Sequence, residues 1–297
     1  MTHFDQKVLV LGATGRQGGA VARHLRGRGF SNVHALVRTA ESPTTRLLSD
    51  QGIRLELGNL DDRTQLEAAM QDAYGVFAVL PIDQLGMETE IRRGKSVAEA
   101  AKKAGVQHFI YSSAAGADRN EGVPDFYAKY VIEEHIRELG LAASVVRPAA
   151  LMENNLYFPP QLGEGVAVFR LAIHPEARRQ HIAVDDIGMI VADLFARPDQ
   201  SIGQTMEIAG DELTGPQMAE IYTKVTGLPA RYEEQPIEEV QAFNPDYAKM
   251  LAWQNNHSFG ADIAHLRAVY PELTTFEAWL TQHRLAVMPH EEAGKQA

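Results

Sequence analysis

Val8-Leu9-Val10-Leu11-Gly12-Ala13-Thr14-Gly15-Arg16-Gln17-Gly18 is the stretch on which the fold turns. Four apolar residues in a row suit a strand covered on both faces. Gly18, Val21, Ala22 and Leu25 then recur at i, i+3, i+4 and i+7, one face of a helix. Glycines fill the turn between them. Without a Cβ the backbone approaches an anion closely, and the N–H groups at the helix mouth have no other partner. A strand, a glycine turn and a helix in this order form a dinucleotide cradle. Its cofactor-binding candidates are Gly12, Thr14, Gly15, Arg16, Gln17 and Gly18.

The alternation continues outward. Further strands are expected at Val33–Val37, Ile53–Leu57, Gly75–Leu80, His108–Tyr111 and Ala143–Arg147. Helices are expected near Arg46, at Leu66–Met70, around Glu88–Ala104 and at Phe126–Leu139. Strands separated by helical stretches make right-handed βαβ units, so residues 1–150 read as an α/β, doubly wound parallel-sheet Rossmann domain. Past Pro148 the rhythm breaks. Glu153-Asn154-Asn155 and Pro159-Pro160 read as loop, and Asp185-Asp186 heads an apolar helix, Ile187–Phe195, which Asp185 is expected to cap. Thr214-Gly215-Pro216-Gln217 has capping-box spacing and opens a helix through Val225. Residues 151–297 are expected to form a smaller, discontinuous α/β lobe on the substrate or partner side, with a frayed tail at Glu291–Ala297.

Composition narrows the function. A formal charge of −11 opposes phosphate backbones and anionic lipid, so direct nucleic-acid and membrane binding are not expected. The absence of cysteine excludes disulfides, thiolate nucleophiles and cysteine-ligated metals. No apolar run approaches the ~18 residues of a membrane span, and no basic-then-apolar leader is visible, so the cytoplasm is the expected location. Oligomeric state is left open.

The choice of dinucleotide follows from charge. An Asp or Glu about 20 residues past the turn holds a ribose 2′-hydroxyl, whereas arginine suits a 2′-phosphate. Between Gly12 and Ala40 there is no carboxylate, while Arg16, Arg23, Arg26, Arg28 and Arg38 are present. Arg38 ends the second strand and is the candidate for the 2′-phosphate, which makes the expected cofactor NADP(H). Arg23, Arg26 and Arg28 read as a solvated helix face. Asn59, past the third strand, either reaches adenine or closes the Gly58-Asn59 turn.

Taken in order, these motifs resemble the NmrA-like branch of the atypical short-chain dehydrogenase/reductases. Besides the glycine turn they include Tyr111-Ser112-Ser113, Phe126-Tyr127-Ala128-Lys129, Arg147-Pro148 with Met152-Glu153-Asn154, Asp185-Asp186-Ile187-Gly188, and Ala209-Gly210-Asp211-Glu212-Leu213-Thr214. The resemblance implies an extended Rossmann domain with a small C-terminal lobe and NADP(H) as cofactor. It also implies Lys129 and Asn154 as further cofactor contacts. Such proteins either sense NADP(H) and engage protein partners or reduce quinone-like substrates.

In the wider superfamily a tyrosine and a lysine four residues later pass a proton to the carbonyl oxygen. Lys129 matches the lysine, but Asp125 stands four residues before it. An ionised aspartate is an acceptor and a poor proton donor. Tyr127 lies two residues from Lys129 and faces the lysine only if the helix starts late and its first turn frays. Ser112 or Ser113 either hydrogen-bonds a carbonyl or caps the strand end. The catalytic candidates are therefore Lys129, Ser113 and Tyr127. A cofactor sensor is the leading expectation, and an NADPH-dependent reductase of quinones or related carbonyl compounds the alternative. In the second case Met152–Phe158, with Asn154, Asn155, Tyr157 and Phe158, either roofs a substrate pocket or is a crossover loop. Arg178-Arg179-Gln180-His181 is either a solvated loop or a grip on an anionic ligand or partner. No histidine pair has metal-ligand spacing, so no metal is expected, and no G-x-S-x-G elbow occurs.

Overall fold

Burial on both faces organises the first half of the chain. The computed structural model describes residues 3–80, 86–119 and 122–288; the tail expected at Glu291–Ala297 lies outside them. In chain order the elements run β1 (Lys7–Val10), α1 (Arg16–Gly27), β2 (Val33–Val37), α2 (Pro43–Asp50), β3 (Arg54–Leu57), α3 (Arg63–Met70) and β4 (Ala73–Val79). There follow α4 (Gly86–Ala104), β5 (His108–Ser112), α5 (Pro124–Glu138), β6 (Ala143–Pro148), β7 (Ala150–Leu151), α6 (Asn154–Tyr157), β8 (Gln161–Gly163), β9 (Val166–Leu171) and β10 (Arg179–Ile182). Then come α7 (Val184–Ala196), α8 (Pro198–Ser201), β11 (Thr205–Ile208), β12 (Asp211–Leu213), α9 (Gly215–Thr226) and β13 (Ala230–Glu234). Four helices follow among the described residues: α10 (Ile237–Phe243), α11 (Pro245–Asn256), α12 (Ile263–Val269) and α13 (Phe276–Val287).

Among the described residues seven strands form one sheet in the order β11-β6-β5-β4-β1-β2-β3. β1 pairs in parallel with β2 and β4, β2 with β3, β4 with β5, and β5 with β6. The order reverses at β1, the switch point where doubly wound sheets bind ligands beyond the strands' carboxyl ends. Leu9, Val76, Phe109 and Tyr111 from the strands, with Leu11 just past β1, pack against Leu66, Val97, Ala101 and Ile132 from α3, α4 and α5.

The chain divides into two compact units. The first comprises Met1–Asp118, Phe126–Arg147 and Val184–Met206; the second comprises Arg119–Asp125, Pro148–Ala183 and Glu207–Ala297. Residues 184–206 thus belong with the sheet, and α7 packs on α1. Polar and ionic contacts join α7 to α1 and the residue that follows it: Arg23 to Asp185 at 3.3 Å, His24 Nε2 to Asp185 at 3.0 Å, and Arg28 to Asp193. Asp185 therefore does not cap α7; it sits within the first turn and reaches across to α1. Nor do Arg23, Arg26 and Arg28 simply solvate a helix face, since Arg26 donates to the carbonyls of Phe30 (2.8 Å) and Ser31 (3.1 Å).

The second unit holds two small sheets, β12-β10-β7 and β13-β9-β8. Its core gathers Met152, Met218, Tyr222, Phe276, Trp279 and Leu280. The capping box forms as the spacing requires: Thr214 Oγ1 accepts from Gln217 N–H at 3.3 Å, and Gln217 Oε1 accepts from Thr214 N–H at 2.9 Å. Arg178–His181, read from sequence as a solvated loop or an anion grip, enters β10 at Arg179. No helix among the described residues is long and apolar enough to cross a membrane.

Candidate functional site

The glycine turn leaves the end of β1 and enters α1 at the switch point. Gly12 has φ +74°, and a Cβ there would sit 2.7 Å from Val79 Cγ1 at the end of β4. A side chain would thus be both strained and blocked. Gly18 has a different constraint: its Cβ would lie 2.3 Å from the Gly12 carbonyl oxygen, so α1 rests directly on the turn backbone. Gly15 N-caps α1 with no side-chain cap, and the first turn contains no acidic residue. Thr14 and Gly15 are exposed, while Arg16 and Gln17 are half-buried. The helix mouth therefore presents backbone amides and a partial positive charge, the features a diphosphate needs. A Cβ at Gly12 or Gly18 would force the turn backbone away from β4 or from α1 and so distort the cradle.

Arg38 directly follows β2 and Asn59 lies just beyond β3, both past carboxyl ends on the side of the glycine turn. Arg38 is exposed and makes no hydrogen bond or ion pair among the described residues, unlike Arg23, Arg26 and Arg28. Asn59 closes a turn: its Oδ1 accepts from Asp61 N–H at 3.1 Å and its own N–H donates to Gln65 Oε1 at 3.0 Å. Asp61 in turn binds Arg92 and Arg93.

The expected catalytic side chains are held within the first unit by other partners. Ser112 Oγ donates to Gln17 Oε1 at 2.7 Å, which ties β5 to the cradle helix. Ser113 Oγ donates to Glu133 Oε1 at 2.5 Å. Arg147 grips the same carboxylate through Nε (3.0 Å) and Nη2 (2.6 Å) and also reaches Asp118 at 2.6 Å. Burial works against the Arg147 charge, but hydrogen bonds first to Glu133 and then to Asp118 outweigh it and raise the guanidinium pKa. This Ser113–Glu133–Arg147–Asp118 network is a structural clamp between β5, β6 and α5.

Lys129 is 6% exposed. Its Nζ lies 2.5 Å from Glu90 Oε1 on α4 and 5.8 Å from the centre of the Tyr111 ring. Burial, then the negative charges of Glu90 and Glu133, push the Tyr111 phenol well above its ordinary pKa. The late helix start that would turn Tyr127 inward does not occur, because α5 begins at Pro124 and Tyr127 is 42% exposed. Asp125 occupies the first turn of α5. Glu90, Glu133 and Asp118 had no signal in the sequence, since an ion pair between separate elements leaves no spacing to read.

Asn154 begins α6 in the second unit and lines a cavity of about 550 Å³ together with Asn155, Tyr157, Phe158 and residues of β9, β10 and β13. The Met152–Phe158 stretch is therefore part of a pocket wall as well as a crossover. Met152 is core, and the buried Glu153 accepts from Trp279 Nε1 at 3.0 Å. No group of His, Asp or Glu among the described residues is arranged to hold a metal ion.

Comparison with known proteins agrees with this architecture. The model of the NmrA-like family matches residues 4–280. An NmrA-like family domain-containing protein of Dictyostelium discoideum is 29% identical, covering 93% of this chain and 97% of its own. An NmrA-like oxidoreductase of Cladobotryum sp. is 30% identical over 76% of this chain and 75% of its own. The solved structure of NmrA, a negative transcriptional regulator in complex with NADP, superposes with TM-score 0.80 at 19% identity, covering 99% and 98% of the two chains. A fold, a cradle and a family model that agree along nearly the whole length make this chain a member of the NmrA-like family.

Proposed function

We propose that this protein binds NADP(H) and acts as a cofactor-dependent regulator, with cofactor occupancy ordering the surface that a protein partner meets. The observation that carries the reading is the bare helix mouth at Gly12–Gly18, with an unengaged Arg38 beyond the neighbouring strand. In this reading the backbone of Gly12, Thr14, Gly15, Arg16, Gln17 and Gly18 holds the diphosphate. Arg38 holds the 2′-phosphate in a bidentate grip, and the Asn59 amide nitrogen faces adenine. Lys129, already paired with Glu90, is a secondary contact. The NADP complex of the NmrA regulator supports the cofactor, and the regulator reading extends from that relative.

A second reading is favoured by the cavity in the second unit: reduction of a quinone or a related carbonyl compound, as the oxidoreductase name of the Cladobotryum relative supports. Reduced nicotinamide, when bound, supplies a hydride. The chain's own part would be to align an electrophilic ring and leave protonation to solvent, because Tyr127 faces outward and Ser113 donates to Glu133. Calorimetric titration with NADPH, followed by NADPH consumption against a quinone panel, separates the readings. Tight binding without turnover supports the regulator, and turnover at ordinary enzymatic rates promotes the reductase. Absence of binding at millimolar NADPH overturns both.

A further inference from the structure

We propose that the cavity of the second unit is a binding site for a planar aromatic monoanion, in its simplest form an aryl carboxylate, with Arg179 taking the charge. The inference needs only the second unit and goes beyond the cofactor reading.

Strand alternation sets the geometry. On β10, Arg179 and His181 share the face that lines the cavity, while Gln180 turns the other way and exchanges hydrogen bonds with Ala261 (2.9 and 3.1 Å). Arg179 Nε donates to the neutral Gln254 Oε1 at 2.9 Å, and among the described residues no carboxylate pairs with the guanidinium. Arg170 at the same cavity differs, since Glu233 (3.3 Å) and Glu239 (3.0 Å) neutralise it. No Asp or Glu is among the described residues lining the cavity. A partly buried guanidinium without a counter-charge is costly unless something else supplies one. Its planar fork matches a carboxylate bidentately.

The walls select the rest of the ligand. Phe169, Tyr232, Tyr247 and Tyr157 line the cavity, and the Tyr232 hydroxyl is anchored on the carbonyls of Leu171 (3.0 Å) and Ile173 (2.6 Å), which fixes that ring. Leu213 and Met218 add apolar surface. His181 is 3% exposed, and its Nε2 has no hydrogen-bond partner among the described residues. Burial first, then the charge of Arg179, push its pKa down to about 3, so at neutral pH it adds no second positive charge beside Arg179. A volume of about 550 Å³ suits a ligand of two or three rings.

The test is calorimetric titration of the full chain with naphthoate and with its neutral counterpart, naphthylmethanol. Naphthoate should bind at least about tenfold more tightly. Arg179→Gln should remove that preference. Gln254→Glu, which places an internal carboxylate against Arg179 without emptying the site, should remove it too, and decides the matter if Arg179→Gln fails to fold. Equal affinity for the two probes in the native protein, or a naphthoate preference that survives in either folded variant, overturns the proposal. An NADPH titration of the same sample reports on the cradle separately.

Discussion

Gly18→Ala tests the idea that the cradle is built by backbone resting on backbone. The added Cβ would lie 2.3 Å from the Gly12 carbonyl oxygen, 2.4 Å from the Gly12 carbonyl carbon and 2.7 Å from the Ala13 nitrogen. None of these atoms belongs to a side chain that can rotate away, so α1 must lift off the turn by several tenths of an ångström. Overpacking of this kind costs about 3 kcal/mol at the upper end of its usual range. Alanine within a helix regains about 1 kcal/mol relative to glycine. The net expectation is a loss of about 2 kcal/mol, together with weaker NADPH binding because the amides leave their positions. Gly27→Ala is the matched control: it lies in the same helix with nothing within 4 Å of its Cβ, so only the helical gain remains. Both tryptophans, Trp253 and Trp279, are in the second unit, so the unfolding of α1 is better followed by far-ultraviolet circular dichroism than by fluorescence. If Gly18→Ala proves as stable as Gly27→Ala, the close approach of α1 to the turn is wrong.

Three further outcomes follow from single contacts. Arg38→Asp should weaken NADPH by roughly ten- to a hundredfold, the worth of a charge-assisted hydrogen bond, and leave NADH nearly unchanged; equal effects on the two in calorimetry would remove Arg38 from the site. Glu90→Gln leaves the buried Lys129 ammonium facing a neutral amide and should cost about 3 kcal/mol in urea unfolding, with an unaltered midpoint arguing against the pair. His108 is fully buried, and that burial pushes its pKa down to about 4 from 6.5. Its folded-state pKa is depressed, so its contribution of about 3 kcal/mol is complete above pH 6.5 and is lost as pH falls toward 4, where the unfolded chain takes the proton first. His108→Asn should flatten that part of the stability profile, and an unchanged slope would refute the assignment.

Most of the strands read from sequence are nearly continuous apolar runs, as a covered parallel sheet requires, and are visible without any partner; β3 at the sheet edge instead alternates apolar and charged residues. β11 escaped because Thr205–Ile208 is short and mixed, and it is a strand by virtue of the edge it occupies beside β6. β7 and β8, two and three residues long, are too short to show a period. The cradle was legible because its requirements are local; Gly12 and Gly18 answer to atoms within the turn or at the next strand end. Asp185 shows the opposite case. Its position ahead of an apolar run suits a cap, yet its carboxylate serves a distant pair of side chains on α1. Arg179 and His181 looked like part of a polar loop because a strand whose face lines a cavity need not be apolar.

The cradle and the proton relay are built from different materials, and they therefore vary independently. Diphosphate binding uses backbone amides, which survive any substitution that spares the glycines. A relay needs a particular side chain with a free proton at a particular atom. In this chain Ser113 donates to Glu133, Lys129 faces Glu90, and Tyr127 points to solvent. Both partners are acidic: Glu133 ties α5 to the end of β5, and Glu90 ties α4 to α5. A free serine or lysine would be less anchored and would loosen the same scaffold. On the proposed reading, the side chains that would make a tyrosine-dependent relay are instead engaged in holding α4 and α5 or face solvent, so a reductase built on this scaffold would take its proton from solvent.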